Sequence, residues 1–367
     1  MEDIQPRYVV LAIGFALGMV FGASVQRSNY CTMGAVSDVV LMGDSRRARA
    51  WALSIAVALV ASQLVDALGL ADLSRSIYRT PALGWAGALI GGSAFGFGMV
   101  LAGGCGSRIL VRAGAGNLKS LVAVLVLGIT ALMTLRGLLA TLRRPFEQAT
   151  QIDLKSAGFA SQGLADLLAR ASGLGAGLWQ AALTLILGVG LGAWAFASPA
   201  LRRDRKLLIG ALLIGLTIPA AWAATSWGAS DPFETMQVAS LSFVAPIGEG
   251  LQYLMFFTGA SLGFGATTVG GVLAGSFLAA AVSGQLRLEG FRDTPDLMRH
   301  IFGGMLMGAG GVLALGCTVG QGLSGLSTLA LGSLIAAASI VLGAVLALRW
   351  LETGSMAGAF RAILGRG

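Results

Sequence analysis

The sequence predicts an all-α polytopic membrane protein, with about nine transmembrane helices and several short broken or re-entrant helices. Of its 367 residues, 56% are hydrophobic and only 11% are charged, whereas about 25% of the residues in a soluble domain are charged. The mean hydropathy is +0.80. Long stretches lack Asp, Glu, Lys and Arg, and about 20 apolar residues suffice for a helix to cross the hydrocarbon core. These stretches are 8–26, 50–65, 80–107, 120–135, 171–201, 207–230, 250–286 and 300–348.

The expected spans follow from these stretches. The two longest, 250–286 and 300–348, exceed a single crossing and are expected to fold back. The first span is expected at Tyr8–Ser24, because acidic residues before Arg7 make a poor signal peptide. The other spans are expected at 50–70, 83–103, 118–140, 177–198, 206–227, within 251–283, at 300–315 and at 325–348.

The distribution of charge excludes several classes of protein and predicts sidedness. The formal net charge is +8, but basic residues cluster in short loops at 46–49 and 202–206, as they do on the cytoplasmic side of membrane proteins. Nucleic acid is therefore not an expected partner. Because four expected spans separate the two loops, both are expected on the same side. The polar segment 141–176 then lies on the other side, with a short amphipathic helix at Gln162–Arg170.

The cysteine and histidine content excludes a second group of functions. The chain has three cysteines, no Cys-x-x-Cys motif and one histidine, His300. This composition is unlike that of a disulfide framework, a zinc site or a haem protein. No cofactor or metal is expected. His300 adjoins a helix start and is expected at the membrane interface without a role.

Glycine occurs 55 times, about twice the average usage of 7%. Gly14, Gly18 and Gly22 recur on one helical face, and small residues at this spacing let membrane helices approach closely. The same interpretation applies to Gly87, Gly91, Gly92, Gly96, Gly304 and Gly308.

An internal repeat predicts a permeation protein. Residues 91–105 align with 303–317 without a gap, and both segments end in Gly-Cys. We call the constant shift in residue number between the two segments, which takes residue 91 to residue 303, the repeat offset. Transporters are often built from two such halves, with the substrate site at their interface. The halves are expected at 1–140 and 177–367, with 141–176 as a connecting segment, and the repeat itself leaves open whether they are parallel or inverted.

Each cysteine follows or interrupts an apolar helix at a glycine-rich break. Irregular backbone at membrane depth is tolerated where it lines a cavity or is buried in protein, and the N–H groups of broken helices suit an anion. A thiol is a weak donor and a soft acceptor, which matches a polarizable sulfur ligand. The residues expected to line a path for a small soft anion are Cys31, Cys105, Cys317, Gly104, Gly106, Gly316 and Gly320.

Five polar residues near these breaks need separate interpretations. Arg108 either attracts the anion or only fixes topology, whereas topology is favoured for Arg112. Gln321 is expected to hydrogen-bond a neighbouring helix or to line the path. Glu249 is expected in a loop at the membrane edge, with a proton-coupling carboxylate as the alternative. Asn117 is expected to cap the helix that begins near residue 118.

Together the three cysteine motifs resemble the YeeE/YedE family of sulfur-transport membrane proteins. The resemblance rests on Ser28–Asp38, on Gly103–Arg108 with the following Gly114–Leu118, and on Leu315–Ser324. It implies a compact, hourglass-like protein, with its two halves related as an inverted repeat, that takes up thiosulfate across the bacterial inner membrane. It also implies that Cys31, Cys105 and Cys317 pass the anion along by S–H···S hydrogen bonds, and that a small cytosolic sulfurtransferase of the TusA type is the partner.

Other functions remain as alternatives at this point. The substrate is alternatively another sulfur or selenium compound. A membrane sulfurtransferase or thiol oxidoreductase would form a cysteine persulfide, but the sequence shows no vicinal pair to resolve it. A passive anion channel would also contain the repeat and the cysteine breaks. A purely structural membrane subunit would leave the cysteine breaks unexplained.

Overall fold

The computed structural model describes residues 5–156, 158–230 and 236–365. Its regular structure is almost entirely helical, and a short antiparallel pairing joins β1 (Ala82–Leu83) to β2 (Ile152–Asp153). The prediction of an all-α membrane protein is confirmed.

The N-terminal part alternates long and short helices. Its elements are α1 (Pro6–Ser28), α2 (Thr32–Met42), α3 (Arg46–Ala67), α4 (Trp85–Leu101), α5 (Gly106–Gly114) and α6 (Leu118–Leu135). Two 3₁₀ turns, at Leu73–Arg75 and Ile77–Arg79, lie between α3 and α4.

Four helices follow and lead to the C-terminal part. They are α7 (Ala140–Thr150), α8 (Leu164–Ser172), α9 (Ala176–Phe196) and α10 (Pro199–Arg203). The amphipathic helix predicted at 162–170 corresponds to α8, and much of the segment 141–176 is helical.

The C-terminal part repeats the alternation of long and short elements. It contains α11 (Arg205–Gly228), α12 (Val244–Met255), α13 (Phe264–Val282), α14 (Thr294–Leu313), a π-helix at Gly320–Gly325, α15 (Leu331–Thr353) and α16 (Met356–Ile363).

Within the described ranges, eight helical segments are long and apolar enough to cross a membrane. Two of them, Pro6–Met42 and Trp85–Gly114, are each a long helix and a short one separated at a cysteine. The 20-residue α14 packs against α4 and α6 but carries charged residues in its first turns, which lowers its hydropathy. With α14, the number of spans agrees with the nine expected.

Glycine contacts bring the helix backbones together, as predicted. Gly18 of α1 lies against the carbonyl group of Thr268 in α13, so no side chain fits between these helices. On α4, Gly91 faces Gly310 of α14 while Gly96 faces Ile340 of α15. Close approach of this kind is how helices associate in lipid, where the hydrophobic effect gives no drive.

Elements recur through the chain at the repeat offset. α2 begins at Thr32 and α12 at Val244, and α4 ends at Leu101 and α14 at Leu313, so each pair differs by the same shift. The packing recurs as well, because α1 packs on α13 as α11 packs on α3, and α4 packs on α15 as α14 packs on α6.

Elements related by this offset run in opposite directions. Gly91 of α4 lies against Gly310 of α14, and Gly98 lies against Gly303, so these two helices are antiparallel. α1 and α11 are antiparallel too, because Gly228 meets Val10 at one end and Gly210 meets Ser28 at the other. An inverted repeat has this arrangement.

The two basic loops lie on one side of the molecule, as predicted. The Arg49 guanidinium donates to the carbonyl oxygen of Trp194 and lies 4.8 Å from the centre of its ring. Arg49 belongs to the first basic loop and Trp194 lies near the end of α9, just before the second, so this contact joins the two loops.

Three expectations about helix ends were wrong. Glu249 lies within α12, not in a loop. By contrast, the stretch 250–286 was expected to exceed a single crossing, and it does contain the end of α12 and a separate α13. The last long helix begins at Leu331, because residues 320–325 form the π-helix. α14 begins at Thr294 and not near residue 300, so His300 lies in its second turn, where Nδ1 is 3.4 Å from Asp296.

Candidate functional site: a cysteine-lined path

Two thiols that are distant in sequence meet in the centre of the protein. The Sγ atoms of Cys31 and Cys105 lie 3.9 Å apart, within range of a hydrogen bond in which either is the donor. Both side chains are buried, and all three cysteines are free thiols. The sequence contains no Cys-x-x-Cys motif, so no pair of neighbouring thiols was expected. The fold nevertheless brings Cys31 and Cys105 together, and that expectation was wrong.

Helix N-termini hold both thiols in place. Cys31 is the N-cap of α2, and its Sγ accepts a hydrogen bond of 3.4 Å from the backbone N–H of Gly34. Cys105 is the N-cap of α5, and its Sγ lies 3.4 Å from the Ser107 hydroxyl. The first turn of a helix presents free N–H groups and the positive end of its dipole, so this position suits a thiol that meets an anion.

Sharp backbone turns create the breaks that carry these residues. Asn29 ends α1 with a φ of 53°, in the left-handed region. Gly103 and Leu315, which correspond at the repeat offset, have φ angles of 67° and 56° just before Cys105 and Cys317. A left-handed conformation is costly for leucine, so the repeat keeps the same turn in both halves at some expense in strain.

Cys317 lies beside Gly106, the residue that follows Cys105 in sequence. Its Sγ accepts a hydrogen bond of 3.4 Å from the backbone N–H of Gly320, and its side chain is fully buried. A Cβ atom at Gly106 would lie 3.9 Å from the Cβ of Cys317 and 3.7 Å from Phe95. Because Gly106 has no side chain, the backbone next to Cys105 faces Cys317 with no side chain between them.

The other predicted glycines lie against groups of the same breaks. A Cβ at Gly316 would lie 3.2 Å from the Gln321 side chain, and one at Gly104 would lie 3.3 Å from Ile109. A Cβ at Gly320 would lie 2.6 Å from the Ser242 hydroxyl oxygen. A side chain at Gly320 would thus displace a polar group beside Cys317.

Gln321 hydrogen-bonds to the end of a neighbouring helix, one of the two roles expected for it. Its Nε2 donates to the carbonyl oxygen of Ala314, the C-cap of α14. Its Oε1 is buried without a hydrogen-bond partner among the described residues. Gln321 fastens the π-helix to the end of α14 and so fixes the segment that carries Cys317.

A cavity of about 620 Å³ opens on the side of the molecule where α1 begins. Arg7, Arg136, Arg143 and Glu249 line it, so its charged lining has an excess of positive charge. It reaches Gly316, the residue before Cys317. The cavity thus ends beside the residue that precedes Cys317, whose own side chain is buried.

Arg108 and Arg112 lie near the opposite end of the path. The Arg108 guanidinium donates to the Val25 carbonyl oxygen at 3.2 Å and to the Asn29 side-chain oxygen at 2.8 Å. Arg112 donates to the carbonyl oxygen of Gly103 at 3.3 Å. Arg108 thus braces the end of α1 next to Cys31 and brings a positive charge close to the two central thiols.

Two hydroxyl groups that were not predicted from the sequence lie at the inner end of the large cavity. Tyr78 lies in the second 3₁₀ turn between α3 and α4, and Ser242 precedes the N-cap of α12. Both line the cavity beside Gly320. The repeat offered a signal for Ser242, because the repeat offset takes Tyr30 of the first cysteine motif to residue 242.

Asn117 has the role predicted for it. Its side-chain oxygen accepts a hydrogen bond of 2.8 Å from the backbone N–H of Ser120, so it caps α6. It lies outside the group of thiols.

Comparison with known proteins agrees with this geometry. The family model described as sulphur transport matches residues 27–346. The thiosulfate transporter TsuA of Spirochaeta thermophila is 28% identical over 343 residues, which cover 90% of this chain and 96% of the relative. The thiosulfate transporter TsuA of Escherichia coli is 25% identical over 337 residues, or 86% of this chain and 87% of the relative.

A shorter match points the same way. The "probable transporter YedE" of Salmonella typhimurium is 34% identical over 115 residues, which are 31% of this chain and 26% of that protein. The family match contains all three cysteines and nearly all of the long helices. The chain therefore belongs to the sulphur transport family, which includes the YeeE/YedE proteins.

Proposed function

We propose that this protein is a thiosulfate transporter of the bacterial inner membrane. The observation that carries the proposal is the row of three buried thiols at three helix breaks, with a positively lined cavity leading to one end. The two relatives that match nearly the whole chain are named thiosulfate transporters and are bacterial. These names support transport, not an enzymatic reaction.

Entry begins in the large cavity. Arg7, Arg136 and Arg143 raise the local concentration of an anion there, because like-signed charges in a concave site focus the field. Glu249 lies 3.9 Å from Arg136 and Glu147 pairs with Arg143 at 2.9 Å, so carboxylates offset the charge of two of these three arginines. The anion then meets Cys317 beside Gly316 at the inner end of the cavity.

The thiols then carry the terminal sulfur of the anion. Cys317, Cys105 and Cys31 follow one another, with the space of Gly106 between the first two and a 3.9 Å contact between the last two. Each S–H donates to the sulfur of the anion as it passes, and no covalent bond forms. A thiol suits this because its sulfur is soft and its hydrogen bonds are weak enough to break.

Uptake needs a driving force. Moving an anion to a negative interior costs roughly 2.3 kcal/mol per charge per 100 mV, and thiosulfate carries two charges. Consumption of the anion on the cytosolic side, by a sulfurtransferase of the TusA type, would keep its concentration there low. We therefore propose a TusA-like partner on the side of the basic loops 46–49 and 202–206.

We also infer that the chain consists of two halves, 1–140 and 177–367, joined by 141–176. The recurrent packing and the opposite directions of α4 and α14 support this division. α8 and α9 have no counterpart at the repeat offset, which supports the assignment of α8 to the connecting segment and makes α9 an addition to the second half.

Uptake by proteoliposomes tests the proposed substrate. Labelled thiosulfate should accumulate in a saturable manner, and unlabelled thiosulfate should compete whereas sulfate should not. Selenite serves as a second competitor, because a selenium substrate is the alternative. Competition by selenite but not by thiosulfate would contradict the proposal.

The contact between Cys31 and Cys105 favours one alternative function. Attack of one thiolate on the terminal sulfur of thiosulfate would break its S–S bond, release sulfite and leave a persulfide within reach of the other thiol, the resolving partner that a thiol oxidoreductase needs. Mass spectrometry of the cysteines after exposure to thiosulfate distinguishes the two functions. Unmodified thiols are expected for the transporter, and a persulfide or mixed disulfide at Cys31 or Cys105 would support the enzyme.

A further inference from the structure

Buried hydroxyl groups accompany the thiols, and the relay of sulfur atoms does not use them. The Tyr30 hydroxyl is buried without a hydrogen-bond partner among the described residues, although it adjoins Cys31 in sequence. The Ser54 hydroxyl lies beside it and donates to the carbonyl oxygen of Ala211 at 2.9 Å, so the Ser54 oxygen can still accept from Tyr30. The Tyr30 hydroxyl can therefore turn between Ser54 and a ligand beside the Cys31 and Cys105 thiols.

A second group of hydroxyls lies at the entrance to Cys317. A Cβ atom at Gly320 would lie 2.6 Å from the Ser242 Oγ and 3.5 Å from the Tyr78 hydroxyl, so both oxygens face the same point. The backbone N–H of Gly320 donates to Cys317 Sγ. Both side chains line the large cavity, and neither hydroxyl bonds to a residue in the described ranges.

The two groups are related by the internal repeat. Tyr30 and Ser242 correspond at the repeat offset, and each lies directly before an N-cap, namely Cys31 of α2 and Phe243 of α12. The repeat therefore places a hydroxyl-bearing residue at the same backbone position of both breaks. One accompanies Cys317 on the cavity side, and the other accompanies the Cys31 and Cys105 pair.

The chemistry of the anion explains why donors of this kind are needed. Thiosulfate has one terminal sulfur and three sulfonate oxygens, and the thiols address only the sulfur. The oxygens lose their water in a narrow path, and an anionic oxygen without a donor is costly in a low-dielectric interior. Hydroxyl groups donate strongly to such oxygens, whereas a thiol donates weakly.

We propose that Ser242 and Tyr78 form an outer sulfonate-binding station beside Cys317, and that Tyr30 forms an inner one beside Cys31 and Cys105. The ligand class is an anion that carries both a terminal sulfur and sulfonate-type oxygens. The hydroxyls select for the oxygens and the thiols for the sulfur. This assignment rests on the proposed transport function and adds the residues that determine specificity.

The two stations affect different kinetic constants. Ser242 and Tyr78 meet the anion first, so Ser242→Ala and Tyr78→Phe should raise the KM for thiosulfate uptake by about tenfold or more, the effect of losing hydrogen bonds to a charged group. Tyr30 acts after entry, so Tyr30→Phe should lower the maximal rate and leave the KM nearly unchanged. Misfolding of any of the three variants would lower the amount of active protein, and therefore the maximal rate, without raising the KM.

Proteoliposome uptake measures this split, with matched control variants from the same chain. Tyr253→Phe removes the hydroxyl of a tyrosine on α12 that stacks on Phe257, and Ser339→Ala removes a hydroxyl already bonded to the Ile335 carbonyl oxygen. Both controls should keep the wild-type constants. Melting temperatures of all variants should lie close to that of the wild type.

Three outcomes decide the matter. A KM effect at the outer station with a rate effect at Tyr30 supports the assignment. Variants that match the two controls would overturn the assignment and leave the proposed transport function intact. Absence of saturable thiosulfate uptake by the wild type would overturn the transport function itself, and the stations with it.

Discussion

At the residue scale, the thiols and the glycines between them define the path. Gly106 is the clearest case. It follows Cys105 and lies beside Cys317, and the space at its Cα has room for a single added carbon. A branched side chain there extends into the space that the anion must cross. The backbone conformation of Gly106 is helical, so the substitution does not require an unusual φ angle.

Gly106→Val should therefore block transport without unfolding the protein. We expect uptake to fall by about tenfold or more, since a narrow pore is sensitive to its diameter. Gly190→Val is the matched control, because no atom lies within 4 Å of a Cβ at Gly190. Equal uptake by the two valine variants would show that Gly106 does not border the path.

The sequence was sufficient to identify the three cysteines but not the groups around them. Each cysteine is flanked by glycine or follows a polar break in an apolar stretch, and this local pattern is visible without a structure. The contact of Cys31 with Cys105 joins residues 74 positions apart, and spacing carries no information about it. Tyr78 lies in a polar connection where nothing marks it as part of a site.

At the element scale, two short helices bring their N-termini together. α2 and α5 are capped by Cys31 and Cys105, and their first turns hold the two Sγ atoms 3.9 Å apart. A disulfide needs a shorter separation of about 2.05 Å, so a modest movement of either side chain closes it. Such a bond would remove both donors from the path.

A mild thiol oxidant should therefore cross-link α2 to α5 and stop uptake. Peptide mapping is expected to show a disulfide between Cys31 and Cys105 with Cys317 still free, and a reductant should restore transport. Cys31→Ser should remove the cross-link, which peptide mapping shows independently of uptake. A disulfide that contains Cys317 instead would contradict the order of the thiols.

Helix ends were harder to predict than the presence of helices. Uncharged stretches indicate apolar segments, but charge does not mark where a helix begins. Residues 256–263 divide the stretch 250–286 although they contain no charged side chain, and α12 extends back to Val244 because the chain turns at Phe243. The π-helix at 320–325 has no distinctive composition apart from its glycines.

At the scale of the whole molecule, the inverted repeat and the positive loops determine sidedness. Arg49 contacts Trp194, which puts the loops at 46–49 and 202–206 on one side. The predicted parity of four spans between these loops is thus confirmed by a direct contact. The segment 141–176, with α7 and α8, is expected on the outer side despite its arginines.

Single cysteines test this topology with a membrane-impermeant maleimide. Met42→Cys and Arg203→Cys should react only after the membrane is permeabilised, whereas Leu174→Cys should react in intact spheroplasts. All three positions are exposed, and the native cysteines are buried, so background labelling should be low. Different sidedness for residues 42 and 203 would contradict the proposed fold of the two halves in the membrane.

The central claim is that thiosulfate crosses the membrane along Cys317, Cys105 and Cys31. The most direct test compares labelled thiosulfate uptake by proteoliposomes that contain the wild type or a variant with all three cysteines replaced by alanine. With equal amounts of folded protein inserted, the wild type should show saturable uptake and the variant only background. Uptake by the cysteine-free variant at the wild-type rate would contradict the account.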